Sequence, residues 1–226
     1  MTLTGRVAVV TGGSGGLGRA IIAALREAGA NALSLDVANG DVVCDVRDDA
    51  SVKRAIAIVV ELYDRLDIVV HAAGISRDGV VWKLSLDDWD AVQQVNLRGA
   101  FLLMRHAIPV MRGRGGRIVL IGSINGSRGK VGTSAYSASK AGLIGLAKSV
   151  ARETGRFGIV VNVVEPGWVK TPMTDAAPAA IKEAAIAETL LGELVEPEDV
   201  AAAVVYLSGA RRVTGQVLRV DGGQYL

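Results

Sequence analysis

An apolar run, Val7 to Val10, leads directly into Thr11-Gly12-Gly13-Ser14-Gly15-Gly16-Leu17-Gly18 and then into a stretch rich in alanine, leucine and isoleucine that ends at Gly29. The order is strand, tight glycine turn, then helix with a glycine stop. Glycines in such a turn let the backbone approach a bound pyrophosphate closely. The helix N-terminus beyond it offers unpaired N–H groups and a partial positive charge. A glycine-rich loop alone also serves as a plain turn. Here, however, the next apolar run, Ala32 to Leu35, ends on Asp36, eighteen positions after Gly18, where a carboxylate can accept from the ribose hydroxyl of a dinucleotide.

Apolar runs near residues 6–11, 31–36, 42–46, 67–72, 117–122, 159–165 and 216–221 predict seven strands. Helical stretches fill the intervals without a linker or repeat. Ser85-Leu86-Asp87-Asp88 is a capping start for a helix through Asn96 towards Met111, and residues 134–157 form another. Pro197-Glu198-Asp199 opens a third, with proline in the first turn and acids at the positive end of the dipole. Strict alternation predicts an α/β fold, one doubly wound domain over residues 1–226 with a seven-stranded parallel sheet and helices on both faces. A composition of 50% hydrophobic against 21% charged residues suits a sheet buried on both sides. The alanine-rich segment Thr174 to Leu194 breaks the rhythm and reads as a substrate lid, mobile until ligand binds.

A net charge of +2, no basic run and only nine Phe, Tyr and Trp residues give no footprint for nucleic acid. No apolar run approaches the ~18 residues of a membrane span and no signal-peptide pattern opens the chain, so a cytoplasmic location is expected. The single Cys44 excludes an internal disulfide and a cysteine zinc site, and no metal is expected. His71 ends a strand and reads as a structural imidazole bonded to backbone; His106 lies on a long helix and suggests less. Arg112, Arg114 and Arg117, with Arg128 and Lys130, form either a solvated face or a docking patch for an acidic carrier.

Tyr136 and Lys140 stand four residues apart, on one face of a helix. An ammonium beside a phenol favours the phenolate, which draws the tyrosine pKa down from ~10 towards working pH and makes it a usable general acid/base. The spacing is common on amphipathic helices, and its weight comes from the residues around it.

Together these residues resemble the short-chain dehydrogenase/reductase family over essentially the whole chain. The family's Thr-Gly-x-x-x-Gly-x-Gly turn matches Thr11, Gly12, Gly16 and Gly18, and its Tyr-x-x-x-Lys matches Tyr136 and Lys140. Its active-site serine matches Ser123, its helix asparagine Asn96, and its Pro-Gly turn Pro166 and Gly167. The resemblance implies a Rossmann-type domain and a catalytic tetrad of Asn96, Ser123, Tyr136 and Lys140. Ser123 would bind the carbonyl oxygen, Tyr136 exchange the proton, Lys140 lower the tyrosine pKa and hold the nicotinamide ribose, and Asn96 hold a relay water. It further implies cofactor contacts from Gly12, Ser14, Gly15, Gly16, Leu17, Gly18, Asp36, Asp45, Val46, Ala72, Ala73, Gly74, Tyr136, Lys140, Pro166, Gly167, Val169 and Thr171. The chain departs from the family at His71-Ala72-Ala73-Gly74, where both asparagines of Asn-Asn-Ala-Gly are replaced.

Asp36 with non-basic Gly15 and Val37 predicts NAD(H) over NADP(H), because a 2′-phosphate would meet a carboxylate. The stretches Ile75 to Val80 and Thr214 to Gly223 look most like the 3-oxoacyl-(acyl carrier protein) reductase branch of fatty-acid metabolism. That implies reduction of a 3-oxoacyl thioester, on acyl carrier protein or CoA. An NAD-dependent secondary-alcohol dehydrogenase and a non-catalytic dinucleotide-sensing or scaffold protein are the alternatives. Relatives pair their long helices between subunits, so Leu102, Leu103, Leu143, Ile144 and Leu146 are expected at the interfaces of a homotetramer.

Overall fold

The protein is described by a computed structural model covering residues 2–175 and 177–226. Met1, and Ala176 within the segment read as a lid, lie outside the described residues. Each apolar run forms a strand: β1 (Val7–Thr11), β2 (Asn31–Asp36), β3 (Val42–Val43), β4 (Ile68–His71), β5 (Gly116–Ile121), β6 (Ile159–Pro166) and β7 (Val217–Val220). They pair in parallel in the order β3-β2-β1-β4-β5-β6-β7. The third strand is shorter than its apolar run. After Cys44 N–H donates to the Asp36 carbonyl, Asp45 N–H turns to the Ser51 hydroxyl and Asp48 caps the next helix, so the chain leaves the sheet.

Parallel strands are apolar on both sides because both sides are covered. Helices α1 (Gly16–Glu27) and α9 (Pro197–Gly209) close one face, where Ile21, Leu25, Val200 and Val204 meet Ala8, Val10, Ile68 and Val70. On the other face α2 (Asp49–Tyr63), α4 (Gly99–Met111) and α6 (Ser134–Thr154) cover Val7, Val9, Val69 and Ile118. α3 (Leu86–Gln93) starts at Ser85, whose hydroxyl accepts from Asp88 N–H as the sequence predicts. The expected continuous helix to Met111 is interrupted, because residues 94–98 wind as a π turn before α4 begins. Short helices α5 (Ile124–Arg128), α7 (Pro172–Asp175) and α8 (Ala179–Ala187) follow β5 and β6. α9 begins at Pro197 with a reciprocal cap between Glu196 and Asp199.

Three residues expected at a subunit interface belong to the core instead. Leu102, Leu103 and Leu143 are 3%, 0% and 0% exposed, because α4 and α6 pack their inner faces on the sheet. Phe101, 46% exposed, is the large apolar side chain that α4 leaves outside, beside Leu97 and Leu146 in a shallow groove. Among the described residues no helix is long and apolar enough to cross a membrane.

Candidate active site

The strand order reverses between β1 and β4, so the connections leaving those two strands diverge and open a crevice at the carboxyl edge of the sheet. The glycine turn lies on its floor. Gly12 has φ +66°, and a Cβ there would come within 2.7 Å of the Ala73 backbone. Gly15 caps α1 without any side-chain bond to the first turn, which leaves the leading N–H groups of that helix facing the cleft. The cleft has a volume of about 670 Å³ and is lined by every residue expected to contact a dinucleotide except Ser14. Ser14 acts one step back. Its N–H donates to Asp36 Oδ2 at 3.1 Å and its hydroxyl to the Asn39 carbonyl at 2.8 Å.

Asp36 ends β2 with both oxygens held, Oδ2 by Ser14 and Oδ1 by Val37 N–H at 2.8 Å. The carboxylate is therefore fixed at the far end of the cleft. Asp45 is occupied differently. Arg47 grips it from two nitrogens, Nη2 at 2.7 Å from Oδ2 and Nε at 3.0 Å from Oδ1, and that hydrogen bonding holds the carboxyl below its usual range. Free helix N–H groups at one end and a fixed acceptor at the other suit the pyrophosphate and ribose of a dinucleotide.

At the opposite end, β5 runs out at Ile121 and Ser123 caps α5. Ser123 Oγ accepts from Asn125 N–H at 3.2 Å and lies near enough to the Tyr136 phenol to favour its ionised form. Lys140, on the same face of α6, is 4% exposed and donates to the Ile121 carbonyl at 2.7 Å. Three of the four expected catalytic residues line one wall of the cleft. Their electrostatics differ from the sequence reading. Burial raises the phenol above its ordinary pKa, opposed by Ser123, and lowers the Lys140 ammonium to about 8. The ammonium sits 5.5 Å from the ring centroid and is bonded to a backbone carbonyl, and desolvation dominates both groups.

Asn96 does not line the cleft. Both of its Nδ2 hydrogens are engaged, donating to the Ile75 carbonyl and Ser139 Oγ at 3.0 Å each, and Oδ1 accepts from Ile75 N–H at 2.9 Å. The Asn96 side chain thus brackets the segment after β4 against α6. The π turn presents its backbone carbonyl sideways, where His71 Nε2 donates at 3.1 Å. Since a carbonyl only accepts, Nε2 carries the proton, and Nδ1 accepts from the Thr11 hydroxyl at 2.9 Å. Thr11 in turn accepts from Ala73 N–H at 3.3 Å. One imidazole thus ties β1, β4 and the π turn where the family places asparagines. His106 bonds Asp49 at 2.9 Å.

The basic residues divide. Arg112 and Arg156 both lie over the Phe157 ring, at 4.4 and 4.7 Å, and Arg114 reaches Asp64. Arg117, read as part of a surface cluster, is 9% exposed because it lies on a central strand and bonds the Gly116 carbonyl. Arg128 pairs with Glu188 at 2.9 Å, and Lys130 lies 4.8 Å from the Trp168 ring centroid. Asn125 and Trp168 also line the cleft. Sequence reading passed over them, although each stands within two positions of a recognised motif residue.

A dinucleotide cleft at the switch point of a doubly wound sheet, with Ser, Tyr and Lys converging at one end, defines an oxidoreductase acting on CH–OH groups with a nicotinamide cofactor. The chain belongs to the short-chain dehydrogenase/reductase family. It matches the family described as Enoyl-(Acyl carrier protein) reductase over residues 12–224. It is 35% identical to the 3-oxoacyl-[acyl-carrier-protein] reductase FabG of Thermotoga maritima, over 99% of each chain. It is likewise 35% identical to that of Escherichia coli, over 100% of each. The solved structure "Crystal structure of gox2181" superposes with a TM-score of 0.94 at 33% identity, covering 99% of this chain and 96% of that one.

His71 carries a consequence for stability. Its burial, with the Lys140 charge adding, lowers its pKa to about 3, whereas in the unfolded chain it titrates near ~6.5. Between those values the unfolded chain takes a proton that the native site refuses, so stability falls as pH drops. From pH 7 to 5 the loss from this group is about 2 kcal/mol. His71→Asn, which keeps one donor and one acceptor without titrating, should flatten this acid limb in urea unfolding at the two pH values. Equal slopes in both proteins would contradict the assignment.

Proposed function

We propose that the protein reduces 3-oxoacyl thioesters to 3-hydroxyacyl thioesters, with NADH preferred over NADPH. The observation that carries this reading is the convergence of Ser123, Tyr136 and buried Lys140 on one wall of the cleft whose floor is the glycine turn. The nicotinamide of a dinucleotide bound there supplies the hydride. Tyr136, a neutral phenol at neutral pH, gives its proton to the substrate carbonyl oxygen. Ser123, held by Asn125 N–H, donates to the same oxygen as negative charge develops. Lys140 holds the nicotinamide ribose and replaces the departed proton. Asn96 holds α6 and the Ile75 segment in register for that exchange. The remaining lining residues, from Asp45 and Val46 to Val169 and Thr171, enclose the dinucleotide.

The thioester substrate is supported by the full-length relatives, whose names specify 3-oxoacyl-[acyl-carrier-protein]. Arg112 and Arg156, converging on Phe157, suit an acidic carrier. The groove with Phe101, Leu97 and Leu146 suits subunit pairing in a homotetramer. NADH preference rests on Asp36, whose fixed carboxylate accepts from a 2′-hydroxyl and repels a 2′-phosphate. The nearby cation, Arg47, is engaged by Asp45.

Tyr136→Phe should lower kcat for acetoacetyl-CoA by about 10²–10⁴-fold while dinucleotide affinity stays within a few-fold. Retention of more than about one per cent of wild-type kcat would overturn the catalytic assignment. A wild type that oxidises no NADH with acetoacetyl-CoA or a simple ketone would instead favour the scaffold reading, which an intact Ser-Tyr-Lys wall argues against.

The cofactor assignment is read from the ratio of kcat/KM for NADH and NADPH. Wild type should favour NADH, and Asp36→Ala should lose most of that advantage, a change of about 10–100-fold from one charge-assisted bond. A wild type that prefers NADPH would show that a cation reaches the phosphate despite Asp36.

A further inference from the structure

Asn125 occupies the first turn of α5, two residues beyond Ser123, and lines the same cleft as Ser123, Tyr136 and Trp168. Its backbone N–H fixes Ser123 Oγ. Its side chain is oriented by a second contact, since Oδ1 accepts from Arg128 Nε at 3.2 Å. A guanidinium has no acceptor, so the amide oxygen must face Arg128 and the amide NH₂ must turn away from it. That NH₂ has no hydrogen-bond partner among the described residues.

Arg128 is itself held firmly. Its Nη2 lies 2.9 Å from Glu188 Oε2, just after α8, and its Nη1 donates to the Gln224 carbonyl at 3.4 Å. Gln224 donates to the same Glu188 oxygen at 2.9 Å and accepts from Trp168 N–H at 3.1 Å. With its side chain 17% exposed, the guanidinium is a largely enclosed brace linking Asn125 to the segment read as a lid and to Gln224. So much fixed structure behind one amide is the arrangement of a recognition group held in place before its ligand arrives.

We propose that Asn125 is a specificity-determining residue, its amide NH₂ donating to a second carbonyl of the substrate, the one that stands 1,3 to the ketone being reduced. This rests on the 3-oxoacyl thioester reading above and sharpens it. Ser123 and Tyr136 hold the reacting oxygen, and the thioester oxygen two carbons away falls to the donor two residues along α5. A lone ketone leaves that donor unpaired in a closing cleft, and sites built around a donor discriminate strongly against ligands that lack its partner.

The test compares acetoacetyl-CoA with cyclohexanone in wild type and in Asn125→Leu, which keeps the volume and the backbone N–H to Ser123 but removes the amide. The expected result is a fall of about 10–100-fold in kcat/KM for acetoacetyl-CoA with cyclohexanone changed less than about 3-fold. Asn125→Asp, which keeps an oxygen for Arg128 and has no NH₂, should behave in the same way if it melts at the wild-type temperature. An equal loss on both substrates would assign Asn125 only to supporting the Ser123 loop, and no loss on either would remove it from recognition; each overturns the proposal. A wild type that reduces cyclohexanone but no 3-oxoacyl thioester would overturn the substrate reading itself, whatever the variants do.

Discussion

The reversal of strand order between β1 and β4 is the constraint from which the site follows. Chain leaving β1 turns towards β2 and β3, chain leaving β4 turns towards β5 to β7, and no connection can cross the gap between them. Parallel pairing then puts every strand's carboxyl end on one edge. The glycine turn after β1, Asp36 after β2, Ala72 to Gly74 after β4, Ser123 after β5 and Pro166 ending β6 become neighbours although they are scattered over most of the sequence. Two apolar layers hold that edge rigid, each a helix set packed on one face of the same sheet.

On this frame a few buried polar contacts set the chemistry. The clasp from Thr11 through His71 to the Asn96 carbonyl fixes the π turn, and the Asn96 amide in turn brackets Ile75 against α6. Lys140 is left in a dry place with a backbone carbonyl as its hydrogen-bond acceptor, which costs the charged form and brings its titration near neutrality. The adjacent phenol is pushed the opposite way by the same desolvation. In the proposed mechanism such a pair gives a proton away and is refilled.

Much of this was legible in the residues. Period and punctuation located all seven strands, because fully buried parallel strands are continuous apolar runs ended by turn residues. Tyr136, Lys140 and the glycine turn are legible from their spacing, whereas Ser123 is legible only through the family resemblance they support. What escaped depended on direction in space. The sequence cannot say that the Lys140 ammonium is bonded to a backbone carbonyl, or that α4 and α6 turn Leu102, Leu103 and Leu143 inward. On helices so apolar, the inner face is chosen by the sheet. The π turn at Asn96 leaves no compositional mark, and Asn125 gains meaning only when Arg128 is seen to fix its amide. Arg117 reads as surface because arginine usually is, but its place on central strand β5 buries it.

The central claim is that burial couples Lys140 and Tyr136 into one proton-donating unit. Single-turnover oxidation of bound NADH by acetoacetyl-CoA, followed from pH 6 to 10 in wild type and in Lys140→Met, tests it directly. In wild type the rate should hold level below about pH 8 and decline above it, as the buried ammonium loses its proton. In Lys140→Met the rate should be lower throughout and the break near pH 8 should be gone, with any decline moved to the higher range of the buried phenol. The same break in both proteins would contradict the coupling.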